Sequence, residues 1–113
     1  MITREDERGV PMTAQEKVFN FCLKYNINCK IEYRLLDLVS ELGELSKEVL
    51  KLSDYGQQPE IHCNADLRLE WGDVLFSLLC LGNQLEIDME EALSLVLQKY
   101  EKRFQERASI GSS

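Results

Sequence analysis

Apolar residues recur at helical spacing through most of this chain, and the polar residues between them mark where each helix begins and ends. Thr13 followed by Glu16 is a capping-box pattern. Val18, Phe19, Cys22 and Tyr25 follow at helical intervals, predicting a first helix over 14–26 that Asn26 and Asn28 break. A second helix opens at Ile31 and runs through Leu35, Leu38, Leu42, Leu45, Val49 and Leu52, until Asp54, Gly56 and Pro59 end it. The third follows Asn64, a good N-cap residue, and its apolar positions from Leu67 to Leu81 cover nearly the whole circumference. Asp66, Glu70, Asp73 and Ser77 form its one continuous polar strip, an arc of about 60° on a helical wheel. After Gly82, Asn83 and the connector Leu85-Glu86-Ile87, Asp88 with Glu91 gives a second capping box. The fourth helix then turns Leu93, Val96, Leu97, Tyr100 and Phe104 inward. The pattern predicts an all-α, four-helix bundle-like fold: a loose N-terminal arm over 1–12, a helical domain over 13–108 and a frayed tail over 109–113.

A helix that is apolar all round is predicted to be buried. Four short helices of a 113-residue chain cannot easily wrap one of their own on every side. A homodimer or homotetramer is therefore expected. The formal charge of −7 and pI near 4.7 argue against a nucleic-acid polymer or an anionic membrane as partner, since both are met by basic surfaces. No apolar run approaches a membrane span, and the polar start Met1-Ile2-Thr3-Arg4 lacks a signal-peptide core, so the expected location is cytoplasmic. Cys22, Cys29, Cys63 and Cys80 have neither CxxC spacing nor disulfide-scaffold density and read as free thiols, two of them on apolar helical faces. His62 reads as a loop histidine with no partner placed beside it.

The informative chemistry is acidic. Glu41 with Glu44, and Glu70 with Asp73, are two pairs spaced three apart on consecutive helices, and residues so spaced share a face. If the helices lie antiparallel with these edges facing, four carboxylates converge as they do around a hard divalent cation such as Mg²⁺. The bland alternative for the second helix is a solvated edge, with Glu44 and Glu48 paired to Lys47 and Lys51. The third helix favours the site over solubilising decoration, because acids in a partly buried groove repel one another and are desolvated unless cations or raised pKa values compensate. Gly43 and Gly72, inside the two pairs, are expected to let the helices approach closely. The chain has no GxxxxGK[ST], GxGxxG or GxSxG motif, so phosphate handling cannot rest on a glycine-rich loop.

The ExxE pair, a spacer of about two dozen residues, and the ExxD pair resemble the signature of the all-α nucleoside triphosphate pyrophosphohydrolases. This is the MazG-like group that includes dCTP pyrophosphatases and dimeric dUTPases, and the likeness runs from about Leu35 to Phe104. Ser40 stands where many members carry a third acid before the first pair. The resemblance implies Mg²⁺-dependent cleavage, with Mn²⁺ as a possible substitute, between the α and β phosphates of a nucleoside triphosphate. It assigns Glu41, Glu44, Glu70 and Asp73 to catalysis and metal holding. It also puts Lys99 and Arg103 at the triphosphate, although Arg103 replaces the Asn of some members and carries over only a cationic role; both equally suit the C-terminal end of a helix dipole. Two alternatives stay open: a non-catalytic acidic module that binds a cation or a protein, and a phosphoribosyl-ATP pyrophosphohydrolase.

Overall fold

The computed structural model describes residues 7–111, so residues 1–6 of the expected arm and 112–113 of the expected tail lie outside the described residues. It contains four helices, α1 (Ala14–Lys24), α2 (Ile31–Leu52), α3 (Ala65–Gln84) and α4 (Met89–Gly111), and no strand among the described residues. Both sides of the capping box at Thr13 and Glu16 are made, at 3.1 and 3.2 Å. Asn64 Oδ1 accepts from the Leu67 amide at 2.8 Å, and Asp88 Oδ1 from that of Glu91 at 2.8 Å. The first helix stops two residues earlier than its periodicity predicts. Asn26 enters the left-handed region at φ 53°, and the Ile27 amide reaches back to the Cys22 carbonyl at 2.8 Å. The second is terminated by three successive left-handed residues, Asp54, Tyr55 and Gly56, the last at φ 92°. At the other end of the chain α4 continues to Gly111 rather than stopping at 108, because nothing in Ala108-Ser109-Ile110 breaks the ladder.

α2 and α3 pack antiparallel along their length. Ser77 donates to Asp37 Oδ2 at 2.8 Å, while Glu41, one turn further along α2, meets Asp73, one turn earlier on α3. α1 packs on α3, with the Phe21 and Phe76 rings edge to face at 5.9 Å. Gln15 of α1 fixes the corner between α3 and α4. Its Nε2 donates to the Ile87 carbonyl at 2.7 Å and to Asn83 Oδ1 at 3.1 Å, and its Oε1 accepts from the Met89 amide at 2.6 Å. From that corner α3 and α4 diverge instead of running back along each other.

The consequence is a chain that buries little by itself. Its radius of gyration is 18.5 Å, against about 13 Å for a compact domain of this length. Its accessible surface is 9428 Å², against about 6,400 Å² for a compact monomer of this mass. Among the described residues Leu79 and Cys80 are the buried apolar ones, and the expectation that α3 is enclosed on all sides does not hold within one chain: Trp71 is 64% and Leu69 68% exposed. Of the polar strip, Ser77 is only 1% exposed and Glu70 half-buried, while Asp66 and Asp73 stay exposed. Gly43 and Gly72 do not serve close approach as expected, because a Cβ at either would meet open space. Among the described residues no helix is long and apolar enough to cross a membrane.

Candidate metal centre

The antiparallel register of α2 and α3 puts Glu41 opposite Glu70 and Asp73. One carboxylate oxygen from each lies within 4.8 Å of the others. Glu41 and Glu70 are half-buried in the groove, while Asp73 is exposed at its rim. Glu44, the fourth acid of the predicted set, lies outside this group but close enough for its charge to act on both Glu41 and Glu70. It is exposed, with no hydrogen bond or ion pair to another described residue. Glu48 takes the bland role, paired with Lys51 at 3.5 Å.

Crowding leaves an electrostatic signature. Burial first, then the charges of Asp73, Asp37, Glu70 and Glu44, raise the Glu41 carboxyl above its ordinary 4.5. Burial and the neighbouring Asp73, Glu44, Glu48 and Asp66 do the same to Glu70. Three hard oxygen donors with no nitrogen or sulfur among them, two of them resisting ionisation, fit a hard divalent cation that would relieve their repulsion. The same shifts fix a stability trend. Between 4.5 and the raised values the folded state binds more protons than the unfolded one, so the metal-free protein loses stability as pH rises through that window. Melting in EDTA is expected to fall with pH across this range, and millimolar Mg²⁺ or Mn²⁺ to raise the neutral-pH midpoint by several degrees. In Glu41→Gln with Glu70→Gln both responses should vanish; an undiminished Mg²⁺ shift would place the ion elsewhere.

Lys99 and Arg103 are not brought to these acids by their own chain. Both sit exposed along α4, flanking the Tyr100 ring at 5.3 and 6.0 Å. Lys99 lies about 15 Å along α4 from the corner, and Asp73 about 16 Å back along α3, on helices that diverge. Periodicity also passed over Arg34. This residue is 9% exposed, pairs with Asp37 at 3.3 Å and lies over the Phe76 ring at 5.9 Å, so that Arg34, Asp37 and Ser77 continue the groove away from the acids. The available signal was the i, i+3 spacing of Arg34 and Asp37 on the edge that carries Glu41. His62 stays in its loop, 3.7 Å from Glu60 with both side chains exposed.

The solved structures this chain is similar to are likewise all-α. One is a Bacillus-conserved MazG protein, a nucleotide pyrophosphohydrolase: TM-score 0.64 and 30% identity, covering 76% of this chain and 83% of that one. Another is YPJD from Bacillus subtilis, described as a candidate pyrophosphatase: TM-score 0.64 and 34% identity, covering 79% of this chain and 90% of that one. A curated relative, the uncharacterized protein YpjD of Bacillus subtilis (strain 168), is 43% identical over 72 residues. That stretch is 62% of this chain and 63% of the relative, less than two thirds of its length. The family model for the MazG nucleotide pyrophosphohydrolase domain matches residues 30–108, and the chain belongs to this family. Its members are hydrolases acting on phosphoric anhydrides and are generally dependent on a divalent metal.

Proposed function

We propose that this protein is a Mg²⁺-dependent nucleoside triphosphate pyrophosphohydrolase, a cytoplasmic homo-oligomer that cleaves between the α and β phosphates to give a monophosphate and pyrophosphate. The observation that carries the reading is the meeting of Glu41, Glu70 and Asp73 across two antiparallel helices, in a chain of this family. These three would hold the cation, which when bound neutralises phosphate charge and lowers the pKa of water. Glu44, beside the group but outside it, is the carboxylate left free to take the proton of the attacking water. Lys99 and Arg103 would hold the negative charge that grows on the departing pyrophosphate. The divergence of α3 and α4 supports a site in which the α4 of a second copy would supply them.

The test is a panel of ordinary and modified nucleoside triphosphates, with phosphoribosyl-ATP included, incubated with Mg²⁺ and scored for pyrophosphate release. Release from at least one nucleoside triphosphate, suppressed by EDTA, is expected. Turnover of phosphoribosyl-ATP alone would reassign the substrate, and binding of Mg²⁺ without turnover of any compound would make the groove a non-catalytic module.

A further inference from the structure

Three of the four cysteines line one cavity, on the far side of Arg34 from the acidic groove. Cys22 comes from α1, Cys29 from the α1–α2 connector and Cys80 from α3. Cys22 Sγ and Cys80 Sγ stand 3.6 Å apart, in contact as thiols. The cavity, about 280 Å³ and open to solvent, is also lined by the Asn26 and Asn83 amides and by Arg34. The Arg34 Nε is a buried donor without a hydrogen-bond partner, on a residue only 9% exposed. That atom is closed off from the cavity, but the guanidinium places a fixed positive charge in the cavity wall, which favours an anionic small molecule. None of these groups has work to do in the proposed hydrolysis.

We infer that Cys22 and Cys80 form a reversible thiol–disulfide site, oxidised by an anionic low-molecular-weight disulfide that enters through this cavity. The two sulfurs take different parts. Burial, then the contact with Cys22, push the Cys80 thiol up to about 12, so it stays protonated and is a poor first attacker; half-buried Cys22 reacts first. The Cys22 thiolate attacks one sulfur of the small disulfide and forms a mixed disulfide. The small molecule's S–S bond breaks, and its first half leaves as a thiol after taking up a proton. Cys80 Sγ then attacks Cys22 Sγ, its proton passes to the departing sulfur as the mixed disulfide breaks, and the second half leaves as a second thiol. Two cysteine thiols are oxidised to one disulfide and one small disulfide is reduced to two thiols. Proximity favours the second step, since the partner is already in contact. The product bolts α1 to α3 across a sequence separation of 58 residues, a closure that restricts the unfolded chain far more than the folded one.

The sequence makes the site easy to map, because trypsin leaves the four cysteines on separate peptides, 18–24, 25–30, 52–68 and 69–99. The native protein is incubated with glutathione disulfide at neutral pH, alkylated, digested without reductant and analysed by mass spectrometry. Peptide 18–24 joined to 69–99 is expected, in the parent and in Cys29→Ser alike, and dithiothreitol should release it. In Cys80→Ser the glutathione adduct should persist on 18–24, and the oxidised parent should melt at least about 5 °C above its reduced form. Modification confined to the exposed Cys63, or a link from 25–30 to 69–99 in place of the expected one, would overturn the assignment. It is also overturned if Cys22 and Cys80 are both still alkylated after the disulfide treatment, an outcome that the parent alone reports whether or not Cys80→Ser folds.

Discussion

Replacing Asp73 by Asn should remove all but about one hundredth of the turnover at saturating Mg²⁺, and Glu41→Gln should do the same. Both side chains give an oxygen to the same point between α2 and α3. Each replacement removes one charged donor, and displacing a reacting group by as little as 1 Å is worth about 100-fold. Groups that act as a unit are not additive, so the double variant should be little worse than either single one. Glu44→Gln, which removes the proposed proton acceptor, should lower kcat while leaving the Mg²⁺ response of the melting midpoint largely in place. Glu48→Gln is the internal control, because Glu48 is already engaged by Lys51 at 3.5 Å. Steady-state kinetics decide the matter: an Asp73→Asn protein within tenfold of the parent would remove the acidic groove from the reaction.

Mixing two dead proteins should produce a live one. The acids lie on α2 and α3 and the cations on a helix that diverges from them, so the proposed site draws its cations from a second copy. Take Asp73→Asn as one parent and the double change Lys99→Ala with Arg103→Ala as the other. In a mixed dimer one site has both defects, but the other has intact acids and intact cations. Statistical exchange makes half of the dimers mixed, each with one working site, so roughly one quarter of the parent activity should return. Cations acting within their own chain would give no recovery at all. The experiment also tests assembly, since light scattering must show at least a dimer. A particle of 13.1 kDa would leave Trp71, Leu69 and their neighbours in water and rule out completion by a second copy.

The helices were legible in the sequence because each is punctuated locally. Thr13 with Glu16, Asn64 and Asp88 make the caps that their spacing predicts, and the left-handed turn at Asp54, Tyr55 and Gly56 ends α2 where the turn residues stand. The α2–α3 face was legible for a related reason. On a helix otherwise apolar all round, the strip of Asp66, Glu70, Asp73 and Ser77 had to face something polar. Periodicity gives the face of a residue but not its partner chain or its depth. Glu44 and Glu41 share a face, yet only Glu41 points where the oxygens meet. Lys99 and Arg103 were placed on the right helix, while the direction of that helix depends on Gln15, some seventy residues away in sequence. Gly43 and Gly72 show the converse error: an interior glycine suggests close packing, but a Cβ there has room.

Gln15 also ties the start of the chain to the reach of its end. Its carboxamide satisfies the Ile87 carbonyl and the Met89 amide at the corner where α4 departs, at 2.7 and 2.6 Å. A helix of 23 residues acts on that corner as a lever about 35 Å long. A change of 10° at its root would carry the far end through about 6 Å by this rise, more than a full helical turn of register against whatever it meets. One amide on α1 thus works as the set-screw of the α3–α4 corner, and in the proposed assembly an enzyme tuned for a differently sized nucleotide is reached by altering the angle of approach instead of the acids.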